Sequence, residues 1–274
     1  MKTLEKHTLI YDDECPMCDL YTRGFIKTKM MDANGRVAFS KISDELRQHI
    51  NAKRACNEIA LINHETGETT YGIQSLFTII GNQSMLLKIL FRWAPFAFVM
   101  KHIYGFISYN RKVIAPGKVF EANNSCTPQF NRGYRWAYII FTWVVSSFIG
   151  QAYAKLLIDY IPPGNLSRAF LICGGQIIFQ GGVVFLLRKE KTIHYIGNVM
   201  TITIAGAVLL LPAMIIHHFI SMPSTFYAGW FAIVVLAMFL EHIRRVHYLQ
   251  LPVVVSFNWV MYRLLVLLII FYLL

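Results

Sequence analysis

Short apolar runs alternate with polar turns over the first 80 residues, in a pattern typical of a small α/β domain. Runs that alternate apolar and polar residues or are continuously apolar predict β-strands at 7–12, 37–42, 58–62 and 69–71. Apolar residues at helical spacing predict helices at 16–31, 43–52 and 72–80. The resulting order β-α-β-α-β-β-α predicts a small mixed sheet flanked by helices.

The second half of the chain has a different pattern, because long apolar segments follow one another with only brief polar breaks. Apolar segments of this length indicate membrane-spanning helices. Five spans are predicted, at about 135–160, 167–187, 194–216, 224–243 and 253–274. We therefore expect a small α/β domain at 1–118, a polar linker at 119–134 and an all-α transmembrane bundle at 135–274.

The segment 84–109 is also rich in apolar residues, but it does not fit a membrane span. Lys88, Arg92, Pro95 and Lys101 interrupt it, and no uninterrupted apolar run approaches the ~20 residues that a spanning helix needs. We expect two amphipathic helices broken near Pro95, which either cover the sheet or lie on the membrane surface.

The net charge of +11 is better explained by a membrane than by nucleic acid. The basic residues form no patch interleaved with aromatic residues, so binding to nucleic acid is not expected.

Counted in alternate loops, seven basic residues lie on one side of the predicted spans and one on the other. The positive-inside rule places the seven-residue side, and with it the N-terminal domain, in the cytoplasm. The first ten residues lack a continuous apolar core, so no signal peptide is predicted. We expect an integral protein of the bacterial inner membrane.

The clearest chemical signal is the C-x-x-C sequence formed by Cys15 and Cys18. It follows the first predicted strand and an acidic loop, and it stands where the first helical pattern begins. A helix N-terminus stabilises a thiolate, and a second sulfur one turn later can resolve a mixed disulfide within the chain. Cys15 is the predicted attacking thiol and Cys18 the predicted resolving thiol.

Two other readings of the cysteine pair remain open. A zinc site needs a second pair of ligands, and neither the isolated cysteines 56, 126 and 173 nor the histidines supply one at the usual spacing. No metal is therefore predicted. The pair could also be purely structural, because free cysteine packs as a small apolar side chain. Cys56 is expected to pack in the core, and Cys126 in the linker is a candidate third redox thiol.

The N-terminal sequence resembles the DCC family of thiol-disulfide oxidoreductases, which is named for an Asp-Cys-Cys signature. The signature falls on Asp12, Cys15 and Cys18, and the resemblance extends to Tyr71-Gly72, Tyr104 and Asn110-Arg111. It implies a thioredoxin-like fold, a thiol or disulfide substrate, and Asp12 as a third site residue. It covers roughly residues 7–115, and the membrane part lies outside it.

The chain departs from the expected pattern at two places near the cysteines. Asp13 stands where the family usually has glycine, and no proline precedes the third predicted strand. Asp12 and Asp13 could relay protons to the cysteines or could only cap the helix. The three acids 12–14 would raise the pKa of Cys15, whereas the helix N-terminus would lower it, and the sequence leaves that balance open.

The predicted bundle contains polar residues that an anchor alone does not require. Arg263 stands alone near the middle of the last span, where an unpaired charge is costly. Other candidate ligands are Glu241, His242 and His247 at the cytoplasmic end of span four, and His217 and His218 at the outer end of span three. We expect a bundle that binds a quinone or a transported solute, with Arg263 pairing either with an acidic ligand group or with Glu241. Helix assembly alone is the competing explanation.

These patterns favour a membrane-anchored thiol-disulfide oxidoreductase whose substrate is a protein or a small thiol, with no certain cofactor. The main alternative is a non-catalytic membrane protein whose thioredoxin-like domain binds a partner. A second alternative is a protein whose bundle binds a quinone or solute.

Overall fold

A computed structural model describes residues 2–117 and 128–272. The chain divides into two compact units, Met1–Arg135 and Trp136–Leu274, and each is described by itself. The strands are β1 (His7–Tyr11), β2 (Arg36–Ala38), β3 (Ala60–Asn63) and β4 (Thr69–Tyr71). The helices of the first unit are α1 (Pro16–Lys27), α2 (Asp44–Gln48), α3 (Ala52–Asn57), α4 (Ile73–Gly81), α5 (Met85–Arg92) and α6 (Ala94–Ile114).

The four strands form one mixed sheet with the order β2-β1-β3-β4. β1 is parallel to β2, whereas β3 runs antiparallel to both β1 and β4. Successive residues of β1 point to opposite faces: Leu9 and Tyr11 join one buried cluster and Ile10 joins the other. Both faces of the sheet are therefore covered, as predicted for an α/β domain. The order of strands and helices along the chain confirms the predicted thioredoxin-like order.

The predicted helix at 43–52 is too long, because α2 ends at Gln48 and a separate helix, α3, begins at Ala52. Ser43 caps α2, since its side chain accepts a hydrogen bond from the Leu46 N–H. Asn51 then caps α3 by accepting from the Arg54 N–H. A second capping side chain stabilises a new helix start, and this ends the first helix early.

The segment 84–109 forms α5 and α6, with Pro95 in the first turn of α6, so the predicted break is confirmed. Phe91 of α5 stacks on Phe77 of α4, with ring centroids 4.3 Å apart. The second half of α6 is partly buried and places Ser108 and Arg111 beside α3. The other face of α5 and early α6 is exposed and apolar, and it includes Met85, Leu86, Ile89, Trp93 and Phe98.

The second unit is all-helical, and it contains α8 (Leu166–Leu187), α9 (Thr192–Phe219), α10 (Ser224–Tyr248) and α11 (Val254–Tyr272), together with most of α7 (Arg132–Ala154). Within the described residues, five helical segments are long and apolar enough to cross a membrane, as predicted. At 1.5 Å per residue, even the shortest of these helices approaches the ~30 Å thickness of a bilayer core. Tyr153, Tyr195 and Trp259 are among its largest buried side chains.

Candidate active site

Cys15 lies at the junction between the sheet and the first helix. β1 ends at Tyr11, a three-residue loop follows, and Cys15 is the N-cap residue of α1. Its sulfur accepts a hydrogen bond from the Cys18 N–H, with 3.4 Å between Sγ and N. Pro16 begins the helix, where its missing N–H leaves no helical hydrogen bond unmade. The sulfur of Cys15 therefore takes the place that a capping oxygen usually has.

The two cysteines have opposite ionisation behaviour. The Cys18 thiol and the Cys18 N–H both donate to Cys15, and together with the charge of Arg111 they lower the pKa of Cys15 from 9.0 to about 7 against the cost of burial. The same thiol–thiolate hydrogen bond, together with burial, raises the pKa of Cys18. Near neutral pH, Cys15 is thus partly a thiolate, whereas Cys18 holds its proton.

Each of the three acids before Cys15 has its own partner. Asp12 pairs with Arg111 at 2.7 Å, and Glu14 pairs with Lys112 at 3.2 Å. The Asp13 carboxylate accepts from the Ser40 hydroxyl at 2.6 Å. Because α6 neutralises Asp12 and Glu14, the acidic loop does not prevent the lowered pKa of Cys15. The interactions that lower this pKa outweigh those that raise it.

Arg111 is the residue that connects this site to distant parts of the chain. Its guanidinium donates to Asp12, to the Asn57 carbonyl at 3.0 Å and to the Cys56 carbonyl at 2.6 Å. Both side chains of the Asp12–Arg111 pair are almost fully buried. Sequence reasoning gave Arg111 no role, although Asn110-Arg111 belonged to the motif that carried the family resemblance.

Both cysteine side chains are buried, with 3% of Cys15 and 6% of Cys18 exposed. The chain after α6 contributes to this burial, because Gly117 packs against the backbone of Glu14 and the ring of Pro16. A Cβ at Gly117 would overlap the Glu14 carbonyl oxygen, so only glycine permits this approach. Contact with a large substrate therefore requires local movement on that side.

A cavity of about 220 Å³ reaches the site from the other side. Cys18, Asp12 and Arg111 line it, and most of its remaining wall comes from apolar or aromatic side chains: Met17, Tyr21, Ala55, Ile59, Leu76, Tyr104 and Ile107. Tyr104 is fixed by the Ile59 N–H, which donates to its hydroxyl at 3.1 Å. Mostly apolar walls with a few polar groups are typical of small-ligand sites.

Residues 9–115 match the profile of a protein family described as DCC1-like thiol-disulfide oxidoreductase. This region is similar to that family, and we call residues 9–115 the DCC1-like domain. Comparisons with curated proteins and with solved structures found no match. The match covers most of the sheet, from Leu9 onward, together with both cysteines and Arg111, and it ends before the first predicted span.

The sequence contains three further cysteines, Cys56, Cys126 and Cys173. Cys56 packs against the second core cluster near the end of α3, as predicted, and it is disulfide-bonded. Cys126, the candidate third redox thiol, lies outside the described residues, as does part of the predicted linker. Cys173 is a free thiol in α8. Among the described residues, no cluster of His, Cys, Asp and Glu could hold a metal.

The bundle candidates do not form one site. His242 is buried, whereas His247 is exposed, and His217 contacts the Tyr227 hydroxyl at 2.8 Å. His218, like His217, is exposed at the end of α9. The expected Arg263–Glu241 pair is wrong, because Glu241 pairs with Arg244 and Arg245 at 2.6 and 2.7 Å.

Alkylation of Cys15 is expected to follow a pH profile with its midpoint near 7. Because folding lowers the pKa of Cys15, its thiolate fraction falls as the pH drops through about 7, and Cys18 stays protonated over the same range. Timed iodoacetamide labelling of the full chain, with mass spectrometry of the Cys15 peptide, measures this profile. Cys18→Ala removes the thiol donor and should move the midpoint upward. A wild-type midpoint near 9 would contradict the lowered pKa.

Proposed function

We propose that this protein is a membrane-integrated thiol-disulfide oxidoreductase in which Cys15 attacks and Cys18 resolves. The observation that carries the proposal is the N-cap position of Cys15, where two donors from Cys18 lower its pKa to about 7. A thiolate at neutral pH beside a protonated second thiol is the arrangement that thiol exchange needs.

In the first step, the Cys15 thiolate attacks one sulfur of a substrate disulfide. A Cys15–substrate disulfide forms, the substrate S–S bond breaks, and the second substrate sulfur leaves as a thiolate. Once Cys15 is in this mixed disulfide, Cys18 loses both the hydrogen bond and the negative charge that raise its pKa. The pKa of Cys18 therefore falls at the stage at which Cys18 must act.

In the second step, Cys18 gives up its proton to water or to the first substrate thiolate and attacks the sulfur of Cys15. The Cys15–Cys18 disulfide forms and the bound substrate leaves as a thiolate, so the substrate gains two electrons and the protein dithiol loses two. The reverse sequence oxidises a dithiol substrate. We assign Asp12 as a positioning residue: it holds Arg111, whose positive charge lowers the pKa of both cysteines.

The substrate class follows from access to the sulfurs. The cavity beside Cys18 fits the end of a small apolar thiol or disulfide rather than a folded protein.

We propose that the DCC1-like domain faces the cytoplasm of a bacterial cell, on the basis of the basic loops between the spans. Protease digestion of sealed vesicles of known orientation checks that side.

A redox titration tests the proposed chemistry. The full chain is equilibrated in buffers of defined thiol-disulfide ratio and then treated with a maleimide large enough to shift its mobility on a gel. We expect Cys15 and Cys18 to be blocked together at oxidising ratios and to become reactive together at reducing ratios. Cys173→Ser is the matched control and should leave the transition in place. If the pair never forms a reversible disulfide, the non-catalytic alternative is correct.

A second candidate function, binding of a lipid-soluble ligand by the bundle, is favoured by a separate observation. Three buried polar atoms of the second unit have no protein partner among the described residues: Gln180 Nε2, His242 Nδ1 and Trp259 Nε1. This ligand site is independent of the chemistry of Cys15.

A further inference from the structure

Four helices of the second unit bring polar side chains together in a group that we call the bundle polar cluster. It consists of Gln180 on α8, Tyr195 on α9, His242 on α10, and Asn258 and Trp259 on α11. Apart from Asn258, each of these side chains is about 1% exposed. Polar groups buried this deeply between apolar helices are costly unless each hydrogen-bonding atom has a partner.

The cluster is connected by hydrogen bonds. The Tyr195 hydroxyl donates to Gln180 Oε1 at 2.9 Å, and Asn258 Nδ2 donates to the same oxygen at 3.1 Å. His242 Nε2 lies 3.0 Å from the Tyr195 oxygen, and the His242 ring contacts Trp259 with centroids 5.4 Å apart. The acceptor on Gln180 is therefore fully used, whereas its amide N–H groups are not.

The hydrogen bond that Tyr195 donates determines which ring nitrogen of His242 is protonated. A hydroxyl has one proton, and Tyr195 gives it to Gln180, so the Tyr195 oxygen accepts from a protonated Nε2 of His242. In neutral imidazole, Nδ1 is then an acceptor without a partner. The cluster thus has unused donors on Gln180 and Trp259 and one unused acceptor on His242.

Arg263 adds a positive charge one helical turn beyond Trp259. Its guanidinium carbon lies 3.1 Å from the centre of the Trp259 ring, and Nη1 donates to the Trp259 carbonyl at 3.3 Å. The sequence from Trp136 onward contains only three carboxylates, Asp159, Glu190 and Glu241. Asp159 contacts Ser224 and Glu241 pairs with Arg244 and Arg245. Within the described part of the chain, no carboxylate forms an ion pair with Arg263.

Within the described residues, Arg263 has no counter-ion, and Gln180 and Trp259 have unused donors. Oxygen acceptors on a bound molecule would stabilise these buried groups, because the protein itself does not supply such atoms. We propose that Arg263 and the bundle polar cluster bind a lipid-soluble molecule whose polar head presents oxygen acceptors. A quinone fits because its carbonyls accept from Gln180, Trp259 and Arg263, and its reduced form can donate to His242. A fatty acid carboxylate offers the same acceptor chemistry, and the experiment separates the two.

The full chain in nanodiscs is titrated with decylubiquinone in one series and with palmitate in another. We expect saturable binding of one probe. Arg263→Met should weaken it by about 10- to 100-fold, since a hydrogen bond to a charged group contributes about 1.5–3 kcal/mol. Trp259→Phe keeps the ring but removes the N–H, and it should weaken binding by about 5-fold, as for a neutral hydrogen bond.

Arg244→Met is the matched control, because Arg244 is a cation on α10 that is half exposed and pairs with Glu241. It should bind the probe as the wild type does. Saturable binding of decylubiquinone identifies a quinone site, and saturable binding of palmitate identifies a carboxylate site. If Arg263→Met fails to fold, Trp259→Phe decides. Binding of neither probe, or unchanged binding in Trp259→Phe and in a folded Arg263→Met chain, overturns the proposal and leaves helix assembly as the role of these residues.

Discussion

Replacing Cys18 by Ser is expected to stop thiol exchange at a mixed disulfide on Cys15. The Cys15 thiolate can still attack a disulfide, but the sulfur that would resolve the product within the chain is gone. An aromatic disulfide reagent that releases a coloured thiolate should therefore yield a single leaving thiolate per chain instead of a pair. Mass spectrometry should locate the retained half of the reagent on Cys15.

The companion variant Cys15→Ser should slow the reaction at this site by at least about 100-fold, because the nucleophile itself is removed. Both variants carry Cys173→Ser, so the free thiol in α8, the third one among the described residues, does not contribute to the signal. If Cys18→Ser still released a pair of thiolates, another thiol would be resolving the intermediate. If Cys15→Ser reacted as fast as the wild type, the roles of the two cysteines would be exchanged.

Replacing Arg111 by Met is expected to destabilise the DCC1-like domain by about 3–5 kcal/mol. Arg111 and Asp12 are buried together, and removing one partner leaves the other as an uncompensated charge away from water. The change also removes the donors to the Asn57 and Cys56 carbonyls. Pulse proteolysis of the full chain in increasing urea measures the loss.

Two further variants separate the charge from the packing. The double variant Asp12→Asn with Arg111→Met carries no buried charge at this position and should recover much of the stability. Lys112→Met removes the neighbouring, more exposed pair with Glu14, and it should cost less than about 1 kcal/mol. Unfolding of Arg111→Met at the wild-type urea concentration would show that the pair does not support the fold.

Local signals were sufficient to predict the position of the cysteines. The apolar run of β1, the acidic loop and the start of α1 are consecutive in sequence, and each has a recognisable composition. Pro95 likewise predicted the start of α6, because proline is favoured in the first turn of a helix. The change from short apolar runs to long apolar segments likewise distinguished the two halves of the chain in the sequence.

The electrostatics of the site could not be predicted, because they depend on contacts between distant residues. Asp12 and Arg111 are 99 positions apart, and nothing in their local sequences pairs them. From the sequence, the three acids near Cys15 favoured a raised pKa and the helix N-terminus a lowered one, and only the contacts of the folded chain show that the pKa is lowered. In the bundle, the isolation of Arg263 was visible in the sequence, but its stacking on Trp259 was not.

The exposed apolar face of α5 and early α6 has a consequence for how the first unit behaves in water. Met85 and Leu86 are 70% and 78% exposed, and Trp93 and Phe98 are 59% and 64% exposed. Exposed apolar patches of this kind drive self-association unless a partner or a membrane covers them. A shortened protein that ends after α6 would lack every predicted span and would still precipitate or oligomerise in plain buffer. Its solubility, not its cysteine chemistry, would then limit any assay, and a mild detergent belongs in every sample from the first extraction onward.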